Sequence, residues 1–117
     1  MQFSLRSTLS PPVVNLELAG ELDIFTADQV SRALDRALWA GCRRVLLDAA
    51  GVTFVDASAL GVLVRARNLM SSCAGTMEIV AFSPVVLRLC VLTGLGSLLA
   101  QPAESLESLE RLDAAPA

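Results

Sequence analysis

Segments with strand-like and helix-like patterns alternate along most of this 117-residue chain. The first two strand-like segments are separated by the residues LSPP, which are typical of a turn. Each later strand-like segment is separated from the next by a stretch whose apolar residues recur at helical spacing. The predicted order is β-β-α-β-α-β-α-(β)-α, where the bracketed strand is the short segment SLLA. This order predicts an α/β fold in which a small mixed sheet of four to five strands is covered by about four helices.

The boundaries of these elements follow from apolar periodicity and from turn residues. We expect strands over residues 3–8, 13–20, 43–51, 76–82 and 97–100. We expect helices over residues 26–41, 58–73, 83–94 and 103–113. The third strand, RRVLLDAAG, has a nearly continuous apolar core, which predicts burial on both faces of the sheet.

Two helix starts are predicted from residues that accept hydrogen bonds from free backbone N–H groups. Thr26 and Gln29 have the spacing of a capping box, so Thr26 is predicted to cap the first helix. Ser83 is followed by Pro84, a residue that favours the first helical position, so Ser83 is predicted to cap the third helix.

Length and composition predict a single globular domain rather than two. We expect one domain over residues 1–113 and a disordered end over 114–117. Charged residues interrupt the most apolar windows, so no membrane span is predicted. The N-terminus lacks the layout of a signal peptide, and Met1 leads directly into the first strand. We therefore expect a free-standing cytoplasmic protein.

Several side chains that enzymes use are absent from the sequence. There is no His and no Tyr, and all nine basic residues are Arg. This composition excludes histidine bases, Schiff-base lysines and the lysine of a phosphate-binding loop. We therefore expect neither enzymatic activity nor a cofactor. The net charge of −3 also argues against a nucleic-acid partner.

The three cysteines are odd in number and widely spaced. Cys42, Cys73 and Cys90 therefore predict neither a disulfide framework nor a metal site. Each is predicted to be a small buried apolar residue, and a redox role is the alternative that the sequence leaves open.

Two short acidic segments come directly after strand-like segments. GELD spans residues 20–23, and VDASALG spans residues 55–61 at the start of the second helix. Asp56 is predicted to cap that helix by accepting a hydrogen bond from the N–H of Ser58 or Ala59. Ser58 then lies in the first turn, where its hydroxyl can point outward.

Three segments give the chain a resemblance to a known family. They are GELD, RRVLLDAAGVTFVDASALGVL and SPVVLRLCVLTGL, and they occur in this order over most of the chain. With them the chain resembles the stand-alone STAS domains of the anti-sigma factor antagonist family. The resemblance implies a small bacterial regulator without catalytic activity, whose partner is an anti-sigma factor with serine kinase activity. It suggests a phosphatase as a second partner, no nucleic acid or membrane partner, and a monomer or weak homodimer.

The resemblance also implies roles for individual residues. Ser58 takes the place of the serine that the kinase phosphorylates, and Asp23 and Asp56 take the places of its acidic neighbours. The family usually has Ser or Thr where this chain has Ala57, and Gly where it has Ala59. Ala57 leaves Ser58 as the only phosphate acceptor in the loop.

Apolar residues near this loop are predicted to contribute to a partner-binding surface. The apolar face of the second helix is predicted to comprise Ala59, Val62, Leu63, Ala66, Leu69, Met70 and Cys73. Leu60 and Val64 lie beside this face, and Trp39 lies on the charged line of the first helix. Each of these three is predicted to be a partly buried edge residue, with a direct partner contact as the alternative.

A phosphate on Ser58 would add about −1.5 to −2 charges next to Asp56. This favours a switch in which the unphosphorylated protein binds the anti-sigma factor and phosphorylation ends the complex. Two other functions remain open. A STAS fold without the switch would be a protein-interaction scaffold. A nucleotide-binding module is disfavoured by the lack of a glycine-rich phosphate loop.

Overall fold

The computed structural model describes residues 2–100 of the chain. In chain order the elements of this part are β1 (Ser4–Ser10), β2 (Val13–Leu22), α1 (Ile24–Trp39), β3 (Arg44–Val55), α2 (Ala57–Ser72), β4 (Thr76–Phe82), α3 (Pro84–Leu92) and a 3-10 helix (Gly96–Leu98). The predicted α/β class and the predicted order are confirmed as far as α3. None of the helices among these residues is long and apolar enough to cross a membrane.

The end of the described chain differs from the prediction. Residues 97–100 do not form a fifth strand, because only Leu99 is aligned with β4, in a single bridge to Ile79. The N–H of Ala100 also donates to the carbonyl of Ile79 at 2.9 Å. The predicted helix over 103–113 and the predicted end over 114–117 lie outside the described residues, as does the C-terminal boundary of the predicted domain.

The sheet has the strand order β1-β2-β3-β4. β1 and β2 form an antiparallel hairpin, and β3 and β4 run parallel to β2. The α1 crossover joins β2 to β3, and the α2 crossover joins β3 to β4 in the same direction along the sheet. Right-handed crossovers therefore place both helices on one face, where they pack against each other. As a result, α1 and α2 both begin at the edge where the parallel strands end.

One face of the sheet is much more deeply buried than the other. In β3, Val45 and Leu47 are buried, whereas Leu46 and Asp48 are only half-buried. The same alternation occurs along β2. The prediction that the third strand is buried on both faces is therefore wrong. An apolar run such as VLL is compatible with either arrangement, and the sequence does not show which face the crossover helices leave open.

The buried face of α2 also differs from the predicted one. Ala59, Val62, Leu63, Ala66 and Met70 are buried as predicted. Leu69 is 45% exposed, and Cys73 is an exposed C-cap. Leu60, by contrast, is only 1% exposed. The α2 helix packs on both α1 and β4, so its buried face turns toward Leu60 and away from Leu69.

Two further side-chain predictions fail at the surface. Cys42 and Cys90 are buried, and burial raises the pKa of the Cys90 thiol, but Cys73 is exposed. Trp39 is 92% exposed and is not a partly buried edge residue. It is the last residue of α1 and continues the solvent-facing line of Arg32 on that helix.

Ser83 occupies the N-cap position of α3, as predicted. Its side chain forms no capping hydrogen bond. The hydroxyl is buried and has no hydrogen-bond partner within residues 2–100. Pro84 at the first helical position lacks an N–H group, so α3 has one fewer free donor for a cap to satisfy.

Candidate functional site

Two loops meet at the edge of the sheet where β2 and β3 end. Leu22 and Val55 are register partners on these neighbouring parallel strands. The N–H of Asp56 donates to the carbonyl of Leu22 at 3.4 Å. Asp23 directly follows Leu22, and Asp56 directly follows Val55, so the two aspartates occupy equivalent positions. The two acidic segments that the sequence contains therefore converge.

Asp56 caps α2 and also binds the Ser58 hydroxyl. Its Oδ1 accepts a hydrogen bond from the N–H of Ala59 at 2.9 Å and another from Ser58 Oγ at 2.6 Å. The cap predicted from the sequence is therefore present, and Ala59 supplies the backbone donor. Such a cap typically stabilises a helix by about 1 kcal/mol. Ser58 itself is exposed, which leaves its Oγ accessible.

Asp23 caps α1 in a reciprocal arrangement. Its Oδ1 accepts from the N–H groups of Phe25 and Thr26, both at 2.9 Å, and the Thr26 hydroxyl accepts from the N–H of Asp23 at 2.9 Å. The predicted capping box of Thr26 and Gln29 is therefore wrong. The α1 helix begins at Ile24, so Thr26 is its third residue. Asp23 directly follows β2, and its carboxylate caps α1 at that point. Thr26 therefore lies inside the helix and not at its N-cap.

These hydrogen bonds lower the pKa of the Asp23 carboxyl below its ordinary value of 3.8. The backbone N–H of Thr26 is the largest cause, and desolvation acts in the opposite direction. The Thr26 hydroxyl and the N–H of Phe25 lower the pKa further. Asp23 is therefore ionised at neutral pH and contributes negative charge beside Asp56.

The residues predicted to bind a partner differ in their exposure. Ala57 and Ser58 are exposed, and Val64 is half-buried. Ala59 is 0% exposed, which agrees with its predicted place on the apolar face, and Leu60 is 1% exposed. The prediction that Leu60 is a partly exposed edge residue is wrong. Both Ala59 and Leu60 belong to the core in this structure, because α2 is covered on that side by α1 and the sheet.

Sequence reasoning missed two apolar residues at this edge. Ile24 is 49% exposed and Phe25 is 80% exposed. Phe25 is the second residue of α1, the position that Ser58 occupies in α2. Exposed apolar side chains beside a polar site are typical of an interaction surface. The sequence feature that could have revealed this surface is the phenylalanine two residues after Asp23. It indicates an exposed first-turn residue only when the start of α1 is placed at Ile24.

A groove of about 380 Å³ between α1 and α2 begins at this edge. Ile24 lines one end, and Met70 lines the other. Its walls carry charges of both signs, from Asp28 and Asp35 on α1 and from Arg65 on α2.

Residues 2–100 contain no group of three or more His, Cys, Asp or Glu side chains that could hold a metal ion.

The family model that describes the STAS domain matches residues 5–109. The chain therefore belongs to the STAS domain family, and the resemblance seen in its sequence is confirmed.

Individual relatives cover most of the chain. The anti-sigma F factor antagonist of Paenibacillus polymyxa is 33% identical over 84 residues, which are 71% of this chain and 72% of that protein. The anti-sigma-B factor antagonist of Staphylococcus aureus is 23% identical over 99 residues, 85% of this chain and 92% of that protein.

Solved structures show the same fold. The anti-sigma factor antagonist SpoIIAA in its unphosphorylated form aligns with a TM-score of 0.71 at 22% identity, covering 93% of this chain and 96% of that one. A putative anti-sigma factor antagonist from Thermotoga maritima aligns with a TM-score of 0.71 at 25% identity, covering 92% and 95%. The Bacillus protein SpoIIAA in its phosphorylated form aligns with a TM-score of 0.65 at 21% identity, covering 92% and 99%.

Proposed function

We propose that this protein is an anti-sigma factor antagonist whose partner is an anti-sigma factor with serine kinase activity. Unphosphorylated protein binds the anti-sigma factor, which frees the sigma factor, and phosphorylation of Ser58 ends the complex. The observation that carries this proposal is the exposed Ser58 hydroxyl, 2.6 Å from Asp56 Oδ1 and beside the equivalent carboxylate of Asp23. The names of the relatives support the class of partner.

The position of Ser58 suits phosphoryl transfer from a bound kinase. Its Oγ is exposed in the first turn of α2, and its proton lies in the hydrogen bond to Asp56. In the transfer, the bond from Oγ to the γ-phosphorus of ATP forms and the bond to ADP breaks. The hydroxyl proton leaves to a base of the kinase. The antagonist supplies only the acceptor, so the proposal gives it no catalytic role and no cofactor of its own.

The charges around Ser58 explain why phosphorylation would end the complex. A phosphoserine carries about −1.5 to −2 charges at neutral pH, next to the carboxylates of Asp56 and Asp23. Burying an unpaired charge in an interface costs several kcal/mol. Each 1.4 kcal/mol weakens a complex about tenfold. A partner surface that accommodates a neutral hydroxyl would therefore release the phosphorylated form, and a phosphatase would restore binding.

Exposed apolar side chains supply the other part of the proposed surface. Ile24 and Phe25 lie in the first turn of α1, and Ala57 precedes Ser58 in the first turn of α2. Together with Ser58 they form a small apolar patch around one hydroxyl. We propose that this patch contacts the anti-sigma factor in the cytoplasm.

Calorimetric titration of the host's anti-sigma factor tests the proposal. Ser58→Asp and Ser58→Glu should bind at least tenfold more weakly than the wild type, a loss of about 1.4 kcal/mol or more. Ser58→Ala is the matched control, because it removes the hydroxyl without adding charge, and it should still bind.

Two outcomes would contradict the proposal in different ways. If the acidic variants bind as tightly as the wild type, the protein is an interaction scaffold without a switch at Ser58. If the wild type itself does not bind the anti-sigma factor, the antagonist function is wrong.

A further inference from the structure

The Arg65 side chain lies along α2 in the direction of Ser58. Its Nη1 is 3.7 Å from the position that a Cβ atom on Gly61 would occupy. Arg65 is exposed, and it forms no ion pair with any residue of the described range 2–100. Within residues 2–100 the guanidinium is therefore an unpaired positive charge, and it is already level with Gly61.

Helix geometry brings this charge close to the phosphate acceptor. Ser58 and Gly61 are three residues apart on α2, a spacing that puts side-chain positions on one face about 5–6 Å apart. Side chains on a helix tilt toward its N-terminus, so Arg65 extends from the next turn back toward Ser58. Gly61 has no side chain to separate them. A phosphate on Ser58 and the Arg65 guanidinium can therefore meet above Gly61.

We propose that Arg65, lying above Gly61, forms an intramolecular binding site for a phosphomonoester on Ser58. Only one part of this inference, the phosphorylation of Ser58, rests on the proposed function. Guanidinium–phosphate pairs are strong because the hydrogen bonds are charge-assisted. The N-terminal end of α2 also favours an anion. Both effects oppose the repulsion from Asp56.

Competition for Arg65 from the facing helix is weak. Asp28 lies across the groove but is already paired with Arg32, whose Nε is 2.9 Å from its Oδ2. Asp35 lines the same groove two turns further from the edge. Among the residues that the structure describes, the phosphate would thus be the first close anionic partner of Arg65. It would leave the edge still negative, because one guanidinium does not balance a phosphate dianion and two carboxylates.

Phosphorus NMR of the full chain tests the site directly. Phosphoserine is placed at position 58 by an expanded genetic code, so that no kinase is needed. The second ionisation of a phosphoserine has a pKa of about 6, and it is followed as a function of pH. A nearby guanidinium favours the dianion and lowers this pKa, whereas Asp56 and Asp23 raise it in every variant.

Arg65→Gln should therefore raise the phosphate pKa by about 0.5 unit, and Arg65→Lys should retain much of the wild-type value. Arg67→Gln is the matched control. It removes the same charge from α2, but the Arg67 Nη1 instead lies 2.8 Å from Ser97 Oγ, so the phosphate pKa should not change. Equal pKa values in the wild type and Arg65→Gln would overturn the inference, as would an equal shift in Arg67→Gln.

A second readout does not depend on titration. The Nε–H resonance of Arg65 should shift between the unphosphorylated and phosphorylated chains, and that of Arg67 should not. Failure of these tests leaves the proposed function intact. If instead phosphorylated and unphosphorylated protein bind the anti-sigma factor equally, the proposed function fails while the phosphate site stands.

Discussion

Asp23 and Asp56 are structurally equivalent residues on neighbouring strands. Each directly follows one member of the paired residues Leu22 and Val55, and each uses Oδ1 to cap the helix that comes next. The two helix N-termini, which favour negative charge, thus lie side by side with a carboxylate at each. The second helical positions are Phe25 and Ser58, so an apolar side chain and a hydroxyl occupy matching places.

The capping role of Asp56 predicts a stability change. Asp56→Ala removes the acceptor of the Ala59 N–H and should lower the free energy of unfolding by about 1 kcal/mol. Urea denaturation measures this. Asp35→Ala is the control, because Asp35 is exposed on α1 and should show no loss. An Asp56→Ala variant as stable as the wild type would contradict the assigned cap.

The capping bonds of Asp23 predict a pH dependence. Because its pKa is lowered in the folded state, ionised Asp23 stabilises the fold at pH values above the ordinary pKa of 3.8, which holds in the unfolded chain. This contribution is lost as the pH falls through the lower folded pKa. Carbon NMR of the carboxyl group should show the lowered pKa directly.

Thr26→Val separates the two bonds that Thr26 donates to Asp23 Oδ1, one from its backbone N–H at 2.9 Å and one from its hydroxyl at 3.2 Å. It removes the hydroxyl but keeps the backbone N–H, which is the largest cause of the shift. The Asp23 pKa should therefore rise only part of the way to its ordinary value. A full return would show that the hydroxyl, and not the backbone, controls the ionisation of Asp23.

Local patterns predicted the hairpin, the order of the elements and the cap at Asp56, because each depends on a few neighbouring residues. The start of α1 depends on where β2 ends. The alternation in VVNLELAGEL continues to Leu22. The sequence prediction ended β2 at Gly20 and therefore placed the start of α1 too late. The same error hid Asp23 as a cap and Phe25 as a first-turn residue.

Burial of α2 could not be predicted from its own sequence. Leu60 and Leu69 are both leucines near the edge of one apolar face, yet they are 1% and 45% exposed. The difference depends on which side of α2 meets α1 and the sheet, and this is set by crossovers rather than by helical period. Partner contacts predicted from the helix alone therefore included Leu60, which is in the core.

The exposure of Ser58 predicts that its hydroxyl matters little for folding. Ser58→Ala loses one hydrogen bond to Asp56 at the surface, and the free energy of unfolding should change by no more than about 0.5 kcal/mol. The same variant should abolish phosphate incorporation by the kinase. Mass spectrometry that finds equal phosphate on another residue of the variant would contradict the assignment of Ser58.

Phe25 gives the sharpest test of the surface around Ser58. Its side chain is 80% exposed, so Phe25→Ala removes little packing and should leave the free energy of unfolding nearly unchanged. If the anti-sigma factor covers the first turns of both helices, the loss of this ring should weaken binding at least tenfold, since aromatic side chains often dominate protein interfaces. Trp39→Ala is the matched control on the same helix.

Trp39 is also an exposed aromatic residue, at 92%, but it is 14 residues further along α1, or about 21 Å along the helix axis. Trp39→Ala should therefore bind the anti-sigma factor as the wild type does. Calorimetry on both variants separates a local surface from general hydrophobic contact. Equal losses in the two variants would indicate non-specific association. Binding that is weakened only by Trp39→Ala would place the interface at the opposite end of α1, away from Ser58. Phosphorylation of Ser58 could then not end the complex by direct repulsion.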